Sequence, residues 1–278
     1  MAYETVAAIY DSLMRDVDYA QWARYLDGLL KKHHCPGKRL LDLGCGTGNI
    51  SIPLAQMGYQ VTALDDEAEM LEIAEKKSAE AGVSVYWRQQ DITDPELGQI
   101  LAGEQQFDAV IATFDVFNHL TEPEDLQTVL YTVERLLMES GVLIFDVQTP
   151  YKLREYLGDH IFTWHSPDVE YMWENHFDQE TQICQMEITF FQRCENGLYR
   201  RETMYQEERL YELELLKLWL NFSNLELLGV YRELSEEAVA STDHRAVFVA
   251  RPMRYADLDA ELDEPLDFAE DEMQQEMI

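Results

Sequence analysis

Between about Arg39 and Val147, short leucine-rich and β-branched runs alternate with stretches in which apolar residues recur every three or four positions. That alternation predicts an α/β unit, a mostly parallel sheet whose strands are joined by crossover helices. The expected strands are Leu40 to Leu43, Tyr59 to Asp65, Val83 to Ile92, Phe107 to Asp115 and Val142 to Val147. The last is apolar enough to be buried on both faces. Helices are expected over Glu67 to Ala81 and from Thr121 onward. There Thr121-x-x-Glu124 has capping-box spacing, and Leu126, Val129, Leu130, Val133, Leu136 and Leu137 share one face. Gly141 is placed to stop that helix.

After Pro150 the period changes from helical to twofold. Cys184, Met186, Ile188 and Phe190 alternate with polar neighbours, Asn196-Gly197 has the composition of a two-residue hairpin turn, and a strand is expected from about Leu198 to Tyr211. Together with the Tyr171 to Phe177 run, this reads as an antiparallel β-insert serving as a lid. Glu212 to Phe222 reads as a helix, and Leu225 to Glu233 and Arg245 to Ala250 as two final strands. The expected organisation is a helical cap over 1–38, a core over 39–150, the insert over 151–210, the remainder of the core sheet over 211–254 and a tail over 255–278.

Composition changes this picture in one respect. The 278 residues contain 21 Lys and Arg against 54 Asp and Glu, for a net charge of −33. Such a field repels phosphate backbones and anionic membranes, so nucleic acid is a disfavoured partner. Part of the excess lies in Tyr255 to Ile278, which holds ten acidic residues and no Lys or Arg, the composition of a solvated segment. Cys35, Cys45, Cys184 and Cys194 form no Cys-x-x-Cys pair and no zinc-type spacing, and read as free thiols in a reducing compartment. With no secretory signal pattern and no apolar run of spanning length, the expectation is a soluble cytoplasmic protein. No metal is expected.

The candidate chemistry begins where the first strand ends. Asp42-Leu43-Gly44-Cys45-Gly46-Thr47-Gly48 is a turn with three glycines at alternate positions, where the backbone can pass close to a ligand. A dinucleotide fingerprint needs a glycine three positions after its second one. Asn49 stands there instead, which argues against a pyrophosphate ligand and a nicotinamide oxidoreductase.

The Asp-x-Gly-x-Gly-x-Gly stretch resembles the signature of the Rossmann-like (class I) S-adenosylmethionine methyltransferases. The chain is further similar to a subset of small bacterial members that open with Tyr-Asp-x-Leu, here Tyr10-Asp11-Ser12-Leu13, and carry a β-insert after the fifth strand. The resemblance implies a Rossmann-like seven-stranded, mostly parallel sheet with an antiparallel β-insert lid and an N-terminal helical cap. It also implies S-adenosylmethionine as cofactor and S-adenosylhomocysteine as product. By the same resemblance, Asp42, Gly44, Cys45, Gly46, Thr47 and Gly48 form the cofactor turn, with Cys45 a small filler. Asp65 receives the ribose hydroxyls, Asp91 the adenine amino group, and Ile92 packs on the base. Met70, Thr113 and Phe114 complete the cofactor set together with Tyr10, which closes over the methionine end. Asp66 is counted with them and is the expected N-cap of the following helix.

Asp115, Asn118, His119 and Tyr10 are the candidates near the transferred methyl group. His119 departs from the aromatic of the resembling proteins and has the chemistry of a general base or of a structural histidine. The remaining aromatics, among them Tyr3, Tyr19 and Trp22, are expected to pack. The expected activity is methyl transfer to a nitrogen or oxygen of a small-molecule acceptor. Rival readings are a non-catalytic cofactor-binding sensor or partner protein and an RNA methyltransferase. Exposed aromatics on the insert also offer a surface for a homodimer.

Overall fold

In the computed structural model the described residues are 11, 14–101, 106–166, 169–194 and 196–253. The first helix, α1 (Tyr19–Lys32), starts where the Asp18 carboxylate accepts the Gln21 N–H at 2.8 Å. Trp22, Leu26, Leu29 and Leu30 recur at helical spacing and bury one face, each worth about 1.5–3 kcal/mol of transfer free energy.

The Rossmann-like alternation then runs β1 (Arg39–Leu43), α2 (Ser51–Gln56), β2 (Gln60–Asp65), α3 (Ala68–Ala81), β3 (Tyr86–Gln89), α4 (Leu97–Leu101), β4 (Phe107–Ala112), a 3-10 turn (Val116–His119), α5 (Pro123–Leu136) and β5 (Leu137–Gln148). After the excursion described below, α6 (Leu213–Phe222) leads to two final strands, Leu225–Arg232 and Arg245–Pro252. The seven strands lie side by side in the order Leu225–Arg232, Arg245–Pro252, β5, β4, β1, β2, β3. Arg245–Pro252 runs antiparallel to both of its neighbours, and the other pairings are parallel.

Alternation along the central strands feeds two cores. Leu41, Leu43, Val110, Leu143 and Phe145 pack with Leu126, Val129, Leu130 and Val133 of α5. Leu40, Ala109, Ile111, Val142 and Ile144 pack on the other side with Trp22, Leu26 and Leu30. A sheet covered on both faces accounts for the nearly uninterrupted apolar runs of β4 and β5.

Between β5 and α6 the chain forms a single π-helical turn, Tyr151–Leu157, and a four-stranded antiparallel sheet of β6 (Ile161–His165), β7 (Val169–Asp178), β8 (Ile183–Arg193) and β9 (Tyr199–Arg209). The final two strands of the main sheet are accordingly β10 (Leu225–Arg232) and β11 (Arg245–Pro252). The twofold pattern of Cys184, Met186, Ile188 and Phe190 places all four on the buried face of β8.

Several local expectations are corrected. Thr121 does not cap α5, which begins at Pro123 after Glu122 with no side-chain cap. The Thr121 carbonyl instead accepts a hydrogen bond from the Arg209 guanidinium. Gly141 stops no helix; it lies within β5, where the pairing shifts register between Phe107–Leu137 and Ala109–Val142. Asp66 does not cap α3, whose N-cap is Glu67. The Asn196-Gly197 connection is longer than two residues, since Cys194 N–H bonds the Leu198 carbonyl and the Asn196 side chain accepts from Leu198 N–H. β6 was not anticipated, and the third strand is shorter than expected. Tyr3 and Tyr10 and the acidic tail from Tyr255 onward lie outside the described residues.

Candidate active site

The carboxyl ends of β1, β2 and β4 meet at one edge of the main sheet, the usual place for a ligand in a parallel α/β sheet. Gly44, Gly46 and Gly48 have φ of +66°, +54° and +78°. At Gly48 the need is absolute, because a Cβ would lie 2.6 Å from the Trp87 ring. Gly46 turns its N–H onto the Asp65 carboxylate at 2.7 Å, and Glu67 N–H meets the second oxygen of that carboxylate at 3.0 Å. Asp65 therefore ties the glycine turn to the start of α3. Each of its oxygens keeps a lone pair for a ligand hydroxyl.

Above the turn is a recess of about 60 Å³ bounded by Tyr19, Asp42, Cys45, Thr47, Thr113 and Phe114 along with Gly44 and Gly46. Burial pushes the Asp42 carboxyl up to about 7, and the neighbouring Asp65 adds to the rise despite the hydrogen bond from Ser51. Burial also drives the Cys45 thiol upward, as suits an inert filler. Gly48 sits behind the recess, packed on Trp87 and Ala74. Met70 is in the first turn of α3, half-buried. Asp91 is exposed and closes a turn by accepting from Thr93 N–H and Oγ1, whereas Ile92 joins the main core.

Sequence reasoning missed the clasp beside this recess. Asp11 accepts from Thr47 Oγ1 at 2.6 Å and Asn49 Nδ2 at 3.0 Å, and Lys77 Nζ lies 2.7 Å from it. Asn49, the residue standing where a dinucleotide turn has glycine, thus carries a structural contact of its own.

The second part of the site lies past β4. Phe114 and Asp115 both have positive φ, +65° and +59°, without being glycine. Their N–H groups converge on the buried Asp146 carboxylate of β5 at 2.7 and 2.9 Å, which holds the strained turn in place. Arg245 of β11 bridges the two acids, contacting Asp115 at 2.6 Å and also Asp146. Burial alone would raise Asp115, but Arg245 and His119 outweigh it and hold its carboxyl below the usual range. At Asp146 burial dominates and raises the carboxyl despite the arginine.

Asn118 takes a different position from the one expected. It is fully buried, its amide oxygen accepts Gln148 N–H at 2.9 Å and its amide nitrogen donates to the Arg209 carbonyl at 2.9 Å. It pins the main sheet to the end of β9 and has no face on the cavity. His119 does reach the cavity, half-exposed, with Nε2 4.0 Å from Asp115.

That cavity, of about 390 Å³, lies between the two sheets. Tyr171, Trp173, Ile188, Phe190 and Met204 of the insert form its apolar wall. Asp115, Gln148, Lys152, Glu208 and Arg245 form its polar floor. Phe114 borders both the cavity and the recess over the glycine turn, so the two spaces share one ring as a wall. The floor residues other than Asp115 were not anticipated. The available signal was Asp146, a lone acid within an otherwise apolar buried strand.

Comparison with known proteins supplies an independent line. Residues 40–141 match the family described as "Methyltransferase domain". A protein of Geobacillus sp. (strain WCH70) named "Putative methyltransferase" is 33% identical over 252 residues, spanning 90% of this chain and 100% of its own length. The crystal structure of an S-adenosylmethionine-dependent methyltransferase from Clostridium acetobutylicum ATCC 824 superposes with a TM-score of 0.81 at 30% identity, covering 91% of this chain and 99% of that one. A sugar N-methyltransferase from Streptoalloteichus sp. ATCC 53650 shares the fold, with a TM-score of 0.72 at 19% identity over 91% of this chain and 95% of its own.

Proposed function

The chain belongs to the class I S-adenosylmethionine-dependent methyltransferases, and we propose on that premise that it methylates a nitrogen or oxygen of a small molecule received in the cavity between its two sheets. The observation that carries this reading is the shared Phe114 wall. It puts an aromatic-lined cleft of small-molecule size directly beside the recess of the glycine turn.

The residues at the turn fit the cofactor. Val116 and Trp87 pack against Gly44 and Gly48 where a Cβ would stand, Gly46 faces open space that a side chain would occupy, and Asp65 at the tip of β2 offers a carboxylate suited to two vicinal hydroxyls. Asp42, Thr47, Thr113 and Phe114 would line its methionine end, with Asp91, Ile92 and Met70 toward the base. When bound, S-adenosylmethionine supplies an electrophilic methyl group on a sulfonium. The chain's own part is to hold donor and acceptor in line and to exclude water, which the insert sheet does by roofing the cavity. Asp115 and His119 line the cavity and would orient the acceptor.

No helix among the described residues is long and apolar enough to cross a membrane. Four free thiols fit the reducing cytoplasm that this reading assigns.

The test is transfer of a deuterated methyl group from labelled cofactor to the small-molecule fraction of a bacterial extract, followed by mass spectrometry. A product heavier by one labelled methyl supports the reading. Label recovered only in RNA or protein, or none transferred despite cofactor binding, overturns it.

A further inference from the structure

The floor of the cavity holds an imbalance of charge. Arg245 is held by Asp115 and Asp146, one guanidinium nitrogen on each. Glu208 of β9 is 3% exposed, lines the same cavity, and its Oε2 has no hydrogen-bond partner among the described residues. Lys152 faces the cavity too, but burial and Arg245 lower its affinity for a proton, and its Nζ lies over the Tyr156 ring at 4.2 Å.

Two further polar atoms on this surface are orphaned. Gln148 Nε2 donates to Asp115 at 3.3 Å, which leaves the amide Oε1 buried with no partner, and Trp173 Nε1 is a buried donor with none. Buried polar groups are almost always satisfied, and a buried carboxylate needs a counter-charge or a proton. Two unmet acceptors, one of them a buried carboxyl that a facing ammonium would hold in its charged form, beside the rings of Tyr171, Trp173 and Phe190 describe the complement of a ligand that brings several N–H donors and a positive charge.

We propose that the acceptor is a primary or secondary amine, bound as its ammonium with N–H donors on Glu208 and Gln148, and that Glu208 is the base that frees its lone pair. This rests on the methyl-transfer reading above and names its substrate class. An alcohol has one O–H and no charge, so it can satisfy only one of the two acceptors. Trp173 Nε1–H remains for an oxygen elsewhere on the same molecule.

The proton moves from the ammonium to the Glu208 carboxylate, leaving a neutral amine. Its lone pair forms the new N–CH3 bond while the S–CH3 bond breaks and that electron pair stays on sulfur. The methylated nitrogen leaves as an ammonium, and Glu208 returns its proton to solvent. Burial already biases Glu208 toward holding a proton, with Asp115 and Asp146 adding to the rise against Arg245 and Lys152. Asp115, His119 and Glu208 also lie within 4.8 Å of one another, a spacing that could instead hold a metal ion.

Calorimetry on the full-length protein saturated with S-adenosylhomocysteine separates these cases. The probes are benzylamine against benzyl alcohol, 2-phenoxyethylamine against 2-phenoxyethanol, and Mn2+ alone. The amines should bind at least about tenfold more tightly than their alcohols, as a charge-assisted hydrogen bond implies. Glu208→Gln should abolish that preference while S-adenosylhomocysteine binds as before. The wild-type amine-to-alcohol ratio needs no variant, so the proposal remains exposed should Glu208→Gln not fold. If neither amine binds more tightly than its alcohol, or if Mn2+ binds tightly and loses affinity in Glu208→Gln while the amines show no preference, the proposal is overturned. Failure to bind S-adenosylhomocysteine at all would bring down the methyl-transfer reading itself, and this one with it.

Discussion

The glycine turn and the charged floor of the cavity meet at Phe114, yet they are made of opposite materials. The turn is mostly local: between Asp42 and Ser51 it uses missing side chains and backbone N–H groups, tied by Asp65 at the end of the adjacent parallel strand and by Asp11 at Thr47. The floor is assembled from the turn after β4 and from β5, β9 and β11, with Asp115, Asp146, Glu208 and Arg245 arriving from far apart in the chain. One part follows from conformational freedom over a short span. The other follows from long-range charge pairing under burial.

Variants on each side should therefore fail differently. The largest effect belongs to Asp146→Ala, which strips the acceptor from two strained buried N–H groups and removes one of the two acids that hold the buried Arg245. A loss of about 3–5 kcal/mol in unfolding free energy is expected, read as a lowered denaturant midpoint. A near-neutral outcome would mean that the floor is not held by charge. Next is Gly48→Val, which must adopt φ +78° and displace Trp87. It should cost about 2–4 kcal/mol and weaken cofactor binding together with stability.

Asp65→Ala should sharpen the contrast, because it acts on the ligand more than on the fold. Calorimetry should show S-adenosylhomocysteine binding weakened by about 10–100-fold, the worth of hydrogen bonds to a charged group. Unchanged affinity would remove the ribose role. The smallest effect is a slope. Asp42 has a folded-state value of about 7 against 3.8 for the free side chain, so the native state holds its proton more tightly than the unfolded chain. Stability from this group is present below about pH 4 and declines as pH rises toward 7. Asp65 and Glu208 act in the same direction, while Asp115, held below the usual range, acts oppositely and loses its contribution as pH falls through its folded value. Asp42→Asn should flatten the decline between pH 4 and 7 in chemical denaturation without abolishing it.

The same division separates what the sequence makes legible from what it hides. The succession of strands and helices, the glycine turn and the position of Asp65 at the tip of β2 could be read because each depends on neighbours within one β-α-β unit. The twofold period of the insert gave the face of β8 but not β6, whose five residues, Ile161–His165, alternate only between partly buried and exposed. Thr121 and Gly141 had the right residue types for helix ends, and tertiary pairing overrode both: Arg209 claims the Thr121 carbonyl, and β5 extends back through Gly141 to pair with β4. Asn118 was read as chemistry because it follows β4, but its contacts with Gln148 and Arg209 join segments 30 and 91 residues away, a separation that no local pattern records. Glu208 lay hidden among the three acids of β9 for the same reason. Its burial is a property of the packed pair of sheets.

The chain leaves the main sheet after Gln148 to form the β6 to β9 sheet and re-enters the main sheet at Leu225, and among the described residues no strand of the insert pairs with a main-sheet strand. The apolar wall of the cavity can therefore change shape by mutation in this ribbon without cutting a rung of the parallel ladder beneath. Such an arrangement lets descendants of one ancestral scaffold diversify in what they modify while inheriting an unaltered grip on the donor.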